Sequence, residues 1–592
     1  MSTTSRFDYI IIGAGSAGCT LAARLTEAGD ANVLLIEAGG WDRSAWIHIP
    51  LGWGRLHGSP RFDWGLHSEP EARLDGRRIE CARGKVIGGC SSVNAMAYVR
   101  GHAGDYDRWA SYGLPGWSYR DVLPYFRKQE HWESGASEFR GGVGPLATCT
   151  SRYPDPLVDA WMRAAGEAGL PATPDYNGRT QEGVGRLQLT VGDGRRSSAA
   201  SAYLRPALGR SNLRVMTRAA VQTLLFSGDR VTGVRVVVNG ETKDVEADRE
   251  VILCAGTIHS PHLLMLSGIG DPGQLERHRI PVKAEVAGVG RNLQDHLWAS
   301  VEFSRCTPGI FQREMRLDRV ARGIVQAALF RNGFWTDLPS GWTAFVKTSD
   351  TAALPDIQLL FRALPPGAGP WFAPFSRPAP DGFACRAVLL RPHSRGWIEL
   401  ASADPQAAPK IHFNFLDDER DARTLRAGMR LIRGVAGQSA LRPFVGGETL
   451  PGADQRSDAA LDAHMRRTSA TSHHPAGTCR MGTADDPLAV VDASLRVRNV
   501  RGLRVVDASV MPDIVGGNIN AAVLMIAEKA AEMIAGRSSE SSGESVGIHT
   551  STGRATPWQH DAQLPAAADV SSAPDTAFSQ QASQSVGDSR RQ

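Results

Sequence analysis

At 592 residues, 42% of them hydrophobic and 22% charged, the chain has the make-up of a globular protein large enough for two or more domains. Its 66 basic against 62 acidic residues leave a formal charge of +4, and the arginines are scattered rather than gathered in a stripe, which argues against a nucleic-acid partner. No apolar run reaches about 18 residues, so a membrane-spanning helix is not expected. MSTTSRFDYIIIG lacks the charged, then apolar, then small-residue order of a secretory leader, so the expected location is the cytoplasm. The eight cysteines form no C-x-x-C pair, and several sit in apolar runs such as VILCAG, the usage of buried free thiols.

Residues 8–40, DYIIIGAGSAGCTLAARLTEAGDANVLLIEAGG, read in order as a strand, a glycine turn, a helix, a second strand and an acid. Gly13 permits the tight turn, Gly15 lets backbone approach a pyrophosphate, and Gly18 lets the helix pack closely on the strand. The helix start at Ser16 and Ala17 offers free N–H groups and a positive dipole end to phosphate. Glu37, 19 residues beyond Gly18, is placed for ribose hydroxyls. The unit predicts an adenine dinucleotide without separating NAD from FAD.

Further along, RGKVIGGCSSVNAMAYVRG (83–101) is either a connecting loop or a segment whose backbone passes close to a flat ligand. VILCAGTIHSPHLLMLSGIG (251–270) predicts a buried strand and a helix. RAVLLRP (386–392), GWIELAS (396–402) and KIHFNF (410–415) predict short strands of an antiparallel meander. VVDASVMPDIVGGNINAAVLMIAEKAAEMI (505–534) predicts a strand ending at Asp507, a loop with Asn518 and Asn520, and a helix. Residues 538–592, poor in apolar residues, are expected to be a disordered tail.

In SHHPAGTCRMG (472–482), His473, His474 and Cys479 have ligand chemistry, but adjacent histidines diverge in an extended chain and no second His/Cys pair stands nearby, so no metal is expected. A histidine satisfied within the core, or an acid–base group, is left.

Together FDYIIIGAGSAG, RGKVIGGCSSVNAMAYVRG, CAGTIHSPHLLMLSGIG, HHPAGTCRMG and RVVDASVMP…NINAAVLMIAEKAA closely resemble the glucose–methanol–choline (GMC) family of FAD-dependent oxidoreductases, in the family's order from about residue 7 to about 536. They are most like its bacterial alcohol and choline dehydrogenase branch. The resemblance implies FAD and an α/β fold: a Rossmann-like FAD-binding domain (7–299, with 41–78 covering the cofactor), interrupted by a substrate domain with a mostly antiparallel sheet (300–465), and closed by 466–537. It implies that His474 is the base and that Asn520, before the final helix, donates a hydrogen bond to the substrate oxygen. Gly13, Gly15, Gly18 and Glu37 would hold the ADP half, with the backbone of Val221 at the adenine. Gly89, Asn94 and Met96 would line the flavin, and Asp507 and Ala508 would approach the pyrophosphate and isoalloxazine. Some members attach FAD through a histidine directly before the Asn of the second motif; here that residue is Val93, so non-covalent FAD is expected.

The expected reaction is oxidation of a primary alcohol, aromatic ones included, to the aldehyde, with dioxygen or a quinone as electron acceptor and peripheral membrane association only in the quinone case. Competing readings are a cyanohydrin-cleaving lyase on the same scaffold and a non-catalytic flavin carrier. Trp41, Trp46, Trp53 and Trp64 would lie over the cofactor, and Phe361, Trp371, Phe372 and Phe375 fall in the region expected to wall the pocket; core packing accounts for these aromatics equally well. No acidic residue stands out to hold a quaternary ammonium.

Overall fold

The computed structural model describes residues 6–56, 58–364 and 367–536. The expected disordered tail, 538–592, lies outside them. Two seven-stranded sheets organise the described chain.

The first sheet runs Leu213–Thr217, Val33–Glu37, Arg6–Ile12, Glu241–Leu253, Arg230–Val238, Ala219–Ser227, with Leu503–Val505 also paired to Glu241–Leu253. Its parallel half is covered on both faces: Ile10, Ile11 and Val33–Leu35 are fully buried, which is why these strands are continuous apolar runs rather than alternating ones. Ile10 pairs with Leu34 on one side and Val251 on the other. The remaining strands, Ala219–Ser227 to Glu241–Leu253, are an antiparallel meander. Leu503–Val505 then enters parallel to Val251–Leu253, so the chain leaves this sheet, builds the second one and returns.

The second sheet runs Val445–Leu450, Leu297–Arg305, Gly382–Leu389, Ile357–Arg362, Trp342–Val346, Gly183–Arg186, with Ala470–Thr471 added to Leu297–Arg305; every pairing is antiparallel. One face is capped by the helix Glu419–Ala436. A methyl group at Gly428 would come within 2.8 Å of Ala387 Cβ, which places Ile357, Leu359, Phe361, Cys385 and Ala387 on the helix side. The other face is turned to the active-site cavity.

The architecture is therefore a Rossmann-like domain interrupted by an antiparallel substrate sheet. Two details differ from the sequence reading. Of the three meander strands only the first joins the second sheet, as Gly382–Leu389; Trp397–Glu399 and Lys410–His412 pair with each other in a separate ribbon. Gly183–Arg186, too short and glycine-rich to read as a strand, forms the far edge of the second sheet. Among the described residues no helix is long and apolar enough to cross a membrane. All eight cysteines are free thiols.

Candidate active site

One cavity of about 1380 Å³ runs from the glycine turn to the two histidines. That exceeds the roughly 300–1,000 Å³ of a pocket for a single drug-sized ligand, and leaves room for a dinucleotide with a small molecule beside it. Gly13, Gly15, Ser16, Ala17 and Glu37 line one part, with Val221 beside a register shift in its ladder. Gly89, Val93, Asn94, Met96, Asp507 and Ala508 line the middle, and His473, His474, Asn518 and Asn520 complete it.

The glycine turn is built for close approach. Gly13 has φ +98°, and a Cβ there would fall 2.5 Å from the Cys254 carbonyl oxygen. A Cβ at Gly18 would overlap the Gly13 carbonyl, whereas one at Gly15 would meet nothing within 4 Å. The strand and helix thus close on two glycines and leave the third facing open space. Helix Ser16–Leu25 starts there with no side-chain cap and no acid in its first turn. Its unpaired N–H groups and positive dipole end suit a pyrophosphate. Glu37 is buried, and accepts the Ala14 N–H at 2.9 Å and the Gly39 N–H at 2.7 Å; burial pushes its carboxyl up to about 7. It braces the turn with one pair of hydrogen bonds while facing the cavity. Gly18, though at the heart of the motif, meets the strand and not the cavity.

Asp507 works in the same manner from the other side. Its carboxylate accepts the Gly256 N–H (2.8 Å), Ser260 hydroxyl (2.6 Å), and Ser509 N–H and hydroxyl (2.8 and 2.5 Å), tying the return strand to helix Gly256–Leu266. The Ala508 carbonyl accepts the Gly477 N–H at 3.1 Å, docking the histidine loop. Asn94 Oδ1 accepts the Met96 N–H at 3.0 Å and Arg196 Nη1 at 2.8 Å, and so fixes the turn that places Met96 at φ +59°.

At the far end, geometry assigns the tautomers. His296 Nε2 lies 3.2 Å from the Leu390 carbonyl oxygen, which only accepts, so Nε2 carries hydrogen. Burial pushes His296 down to about 4, so it is neutral at pH 7 and its Nδ1 is a bare lone pair. His474 Nδ1, 3.1 Å from that lone pair, must donate to it. His474 is itself held well below its usual range by burial, with His296, Arg83 and His473 adding to the effect. Its Nε2 is therefore the basic atom, and the Asn518 amide donates to it at 3.1 Å. Asp295 fixes the backbone beneath: its carboxylate accepts the N–H groups of His296 (2.7 Å) and His474 (2.9 Å) and the Thr471 hydroxyl (2.5 Å). Arg83 donates to the His473 carbonyl at 2.6 Å.

The sequence reading needs three corrections here. Asn520, expected opposite His474, instead accepts the Ser16 hydroxyl at 2.6 Å, next to the glycine turn. It is the first residue of helix Asn520–Ala535, whose start abuts that of helix Ser16–Leu25; Asn518, two residues earlier in the loop, is the one that reaches His474. The expected aromatic wall is also elsewhere. Phe361 is buried against Trp342 on the helix side of its strand, Phe375 is 85% exposed and Phe372 44%, and neither of the last two lines the cavity. Trp298, Phe311, Met315 and Trp335 line the cavity in their place, together with Trp46, Trp53 and Trp64 of the covering segment. Finally, His296 and Asp295 went unnoticed, because NLQDHLWAS carries no periodicity or spacing that links it to a motif 178 residues away. Among the described residues no group of three or more His, Cys, Asp or Glu is placed to hold a metal.

Comparison with known proteins identifies the family. The GMC oxidoreductase family profile matches in two parts, its N-terminal half over residues 7–298 and its C-terminal half over 392–527. The chain is 41% identical over 540 residues to the oxygen-dependent choline dehydrogenase of Photobacterium profundum, covering 90% of this chain and 94% of that one. It is 42% identical over 547 residues to the mitochondrial choline dehydrogenase of Homo sapiens, covering 90% of each. Among solved structures, pyridoxine 4-oxidase from Mesorbium loti superposes with a TM-score of 0.80 at 33% identity, over 89% of this chain and 98% of that one. Formate oxidase superposes with a TM-score of 0.83 at 27% identity, over 90% and 99%. The chain belongs to the GMC oxidoreductase family and is an FAD-dependent alcohol dehydrogenase or oxidase of that family.

Proposed function

We propose that the protein oxidises a primary alcohol to its aldehyde, with His474 as general base and Asn518 holding the substrate oxygen. One observation carries this reading: the hydrogen-bond chain from Leu390 through His296 leaves His474 Nε2 as a bare lone pair beside an amide donor, in the cavity that the glycine turn also lines. A hydroxyl inserted between the two would donate to Nε2 and accept from Asn518 Nδ2. FAD, when bound, would supply the two-electron acceptor for the carbinol hydrogen as hydride; His474 Nε2 would take the O–H proton as the C=O bond forms, and Asn518 would hold the oxygen. The proton on His474 is shared through Nδ1 with His296, whose own N–H rests on the Leu390 carbonyl.

Gly13, Gly15, Ser16, Ala17 and Glu37 would hold the ADP half, Val221 the adenine edge, Gly89, Asn94 and Met96 the flavin, and Asp507 and Ala508 the junction. Val93, which lines the cavity without a nucleophilic atom, would leave FAD non-covalently bound. The functional division would be 7–299 and 466–537 for the cofactor, with 41–78 across it, and 300–465 for the substrate. Choline appears in the names of the relatives, and it is one member of the primary-alcohol class.

The test is the anaerobic visible spectrum of the holoprotein before and after adding primary alcohols. Bleaching of the flavin band by an alcohol is expected. Product formation from a cyanohydrin with the band unchanged would replace oxidation with lyase chemistry. Acid precipitation should leave the yellow colour in the supernatant; flavin that pellets with the protein would refute non-covalent binding.

A further inference from the structure

The cavity side of the second sheet carries two arginines, Arg386 and Arg362, without a hydrogen-bonded or ion-paired partner among the described residues, and one more distant carboxylate, Glu302, between the two of them. Residues directly opposite across antiparallel strands share a face, so three rows can be read across Leu297–Arg305, Gly382–Leu389 and Ile357–Arg362. Trp298, Val388 and Gln358 form the first row; Ser300, Arg386 and Leu360 the second; Glu302, Ala384 and Arg362 the third. The first row stands at the level of the catalytic pair. Gln358 Nε2 reaches Asn518 Oδ1 at 3.4 Å, and Trp298 Nε1 donates to the Thr471 carbonyl at 3.0 Å, three residues before His474. With about 3.4 Å per residue, the Arg386 row lies roughly 7 Å beyond it and the Arg362 row roughly 14 Å.

Both guanidiniums line the cavity, with Trp298 and Leu360. Arg386 sits over the Trp298 ring, 3.8 Å from its centroid, a contact that orients it without satisfying its N–H groups. Neither arginine has a hydrogen bond or an ion pair with any described residue. The carboxylate facing them is Glu302, half-buried in the Arg362 row and beyond ion-pair distance. Burial lowers both guanidiniums, Arg386 to about 9, and burial also raises the Glu302 carboxyl, which weakens what compensation it gives. Both guanidiniums are partly buried and open onto the cavity, so a ligand there can supply the anion they lack, and the planar fork of each matches a carboxylate.

We propose that the alcohol oxidised here carries an anionic group, a carboxylate, gripped by Arg386 and Arg362 while its hydroxyl lies between His474 and Asn518. This rests on the alcohol-oxidation reading above. A spacing of roughly 7 Å or more between hydroxyl and carboxylate follows from the strand rows, and Phe311, Met315 and Trp335 in the lining of the same cavity give it apolar surface suited to an aromatic ring. The same two charges repel a quaternary ammonium, so this pocket disfavours choline.

The test uses holoenzyme under anaerobic conditions with three probes: 4-(hydroxymethyl)benzoate, its neutral counterpart 4-methylbenzyl alcohol, and choline. The acid should reduce the flavin with a kcat/KM about 10–100-fold above the neutral alcohol, the worth of a charged hydrogen-bonded pair, and choline should be the poorest. The advantage should shrink with added salt. Arg386→Gln and, separately, Arg362→Gln should reduce the acid-to-neutral ratio at least about 10-fold, with Arg386→Lys recovering part of it. Flavin reduction by choline or the neutral alcohol as fast as by the acid would overturn the anionic assignment alone. No reduction by these or any other primary alcohol would overturn the oxidation reading, and this one with it.

Discussion

In its proposed role as the base, His474 depends on two other residues that decide which of its nitrogens is bare. A neutral imidazole alone would populate both tautomers; the Leu390 carbonyl forces hydrogen onto His296 Nε2, and the chain of contacts leaves only one arrangement for His474. His474→Ala should therefore keep its flavin and lose roughly 10²–10⁴-fold in turnover, measured by stopped-flow bleaching. His296→Ala should lose less in rate but move the pH profile, since the positioning of Nδ1 and the charge next to it both change; an unmoved profile would count against the relay. The sign for the native enzyme follows from His474 lying well below 6.5. It is neutral and competent at pH 7 and above, and becomes protonated only as pH falls, so kcat/KM should be level through neutral pH with its acid limb below 6.5. A limb centred above pH 7 would show that another group or the bound flavin sets the base. The two asparagines separate by position. Asn518→Ala should lower kcat/KM with flavin content intact, and Asn520→Ala should lower flavin content first, because its partner is Ser16. By residue type HHPAG leaves a core histidine and an acid–base group both open, and the base role comes only from the family resemblance; Asn518 and Asn520 were not separable, since two positions at a loop-to-helix junction differ in direction and not in pattern.

Between elements, polar ties join the segments of the cofactor region across the apolar core. Helices Ser16–Leu25 and Asn520–Ala535 run side by side in the same direction, joined by Ser16–Asn520 at their starts and Arg24–Glu528 two turns on. Both positive dipole ends thus meet at the glycine turn, an arrangement that repels by itself and is relieved by an anion between them. The strand–turn–helix unit was legible because its glycines and its period are local. The partner helix was legible as a helix, but its docking was not, because 504 residues separate the contacting side chains and no local pattern encodes that. Asp507 is the clearest single tie. Asp507→Ala would strand the Gly256 N–H and the hydrogen-bonding groups of Ser260 and Ser509 in the interior, each costing about 1–3 kcal/mol. The variant should unfold at lower urea by at least about 3 kcal/mol and release FAD on gel filtration. If stability and flavin content both match the native protein, the tie is not structural.

For the fold as a whole the decisive contact is between the first and the last helices of the described residues, Ser16–Leu25 and Asn520–Ala535. The described chain begins in the central strand of the first sheet, builds the substrate sheet from distant segments, and returns through Leu503–Val505 and the last helix, so cofactor and substrate walls come from residues hundreds of positions apart. Glu528 secures that closure. It is fully buried; both its oxygens take hydrogen bonds from Arg24 at 2.8–3.1 Å, the Tyr203 hydroxyl donates to it at 2.9 Å, and Lys128 stands 3.6 Å away. Breaking a buried pair by removing one partner leaves the other charge uncompensated, at about 3–5 kcal/mol; Arg24, still 17% exposed, recovers some hydration and puts the expectation at the lower end, about 3 kcal/mol. Glu528→Ala should lower the urea midpoint accordingly, and added FAD should restore part of it, because the ligand binds only the closed chain. Glu528→Ala combined with Arg24→Ala should cost less than the two changes summed, since the second removes the stranded charge. Strictly additive losses would show that the ends are held by apolar packing of the two helices, with the ion pair incidental to closure.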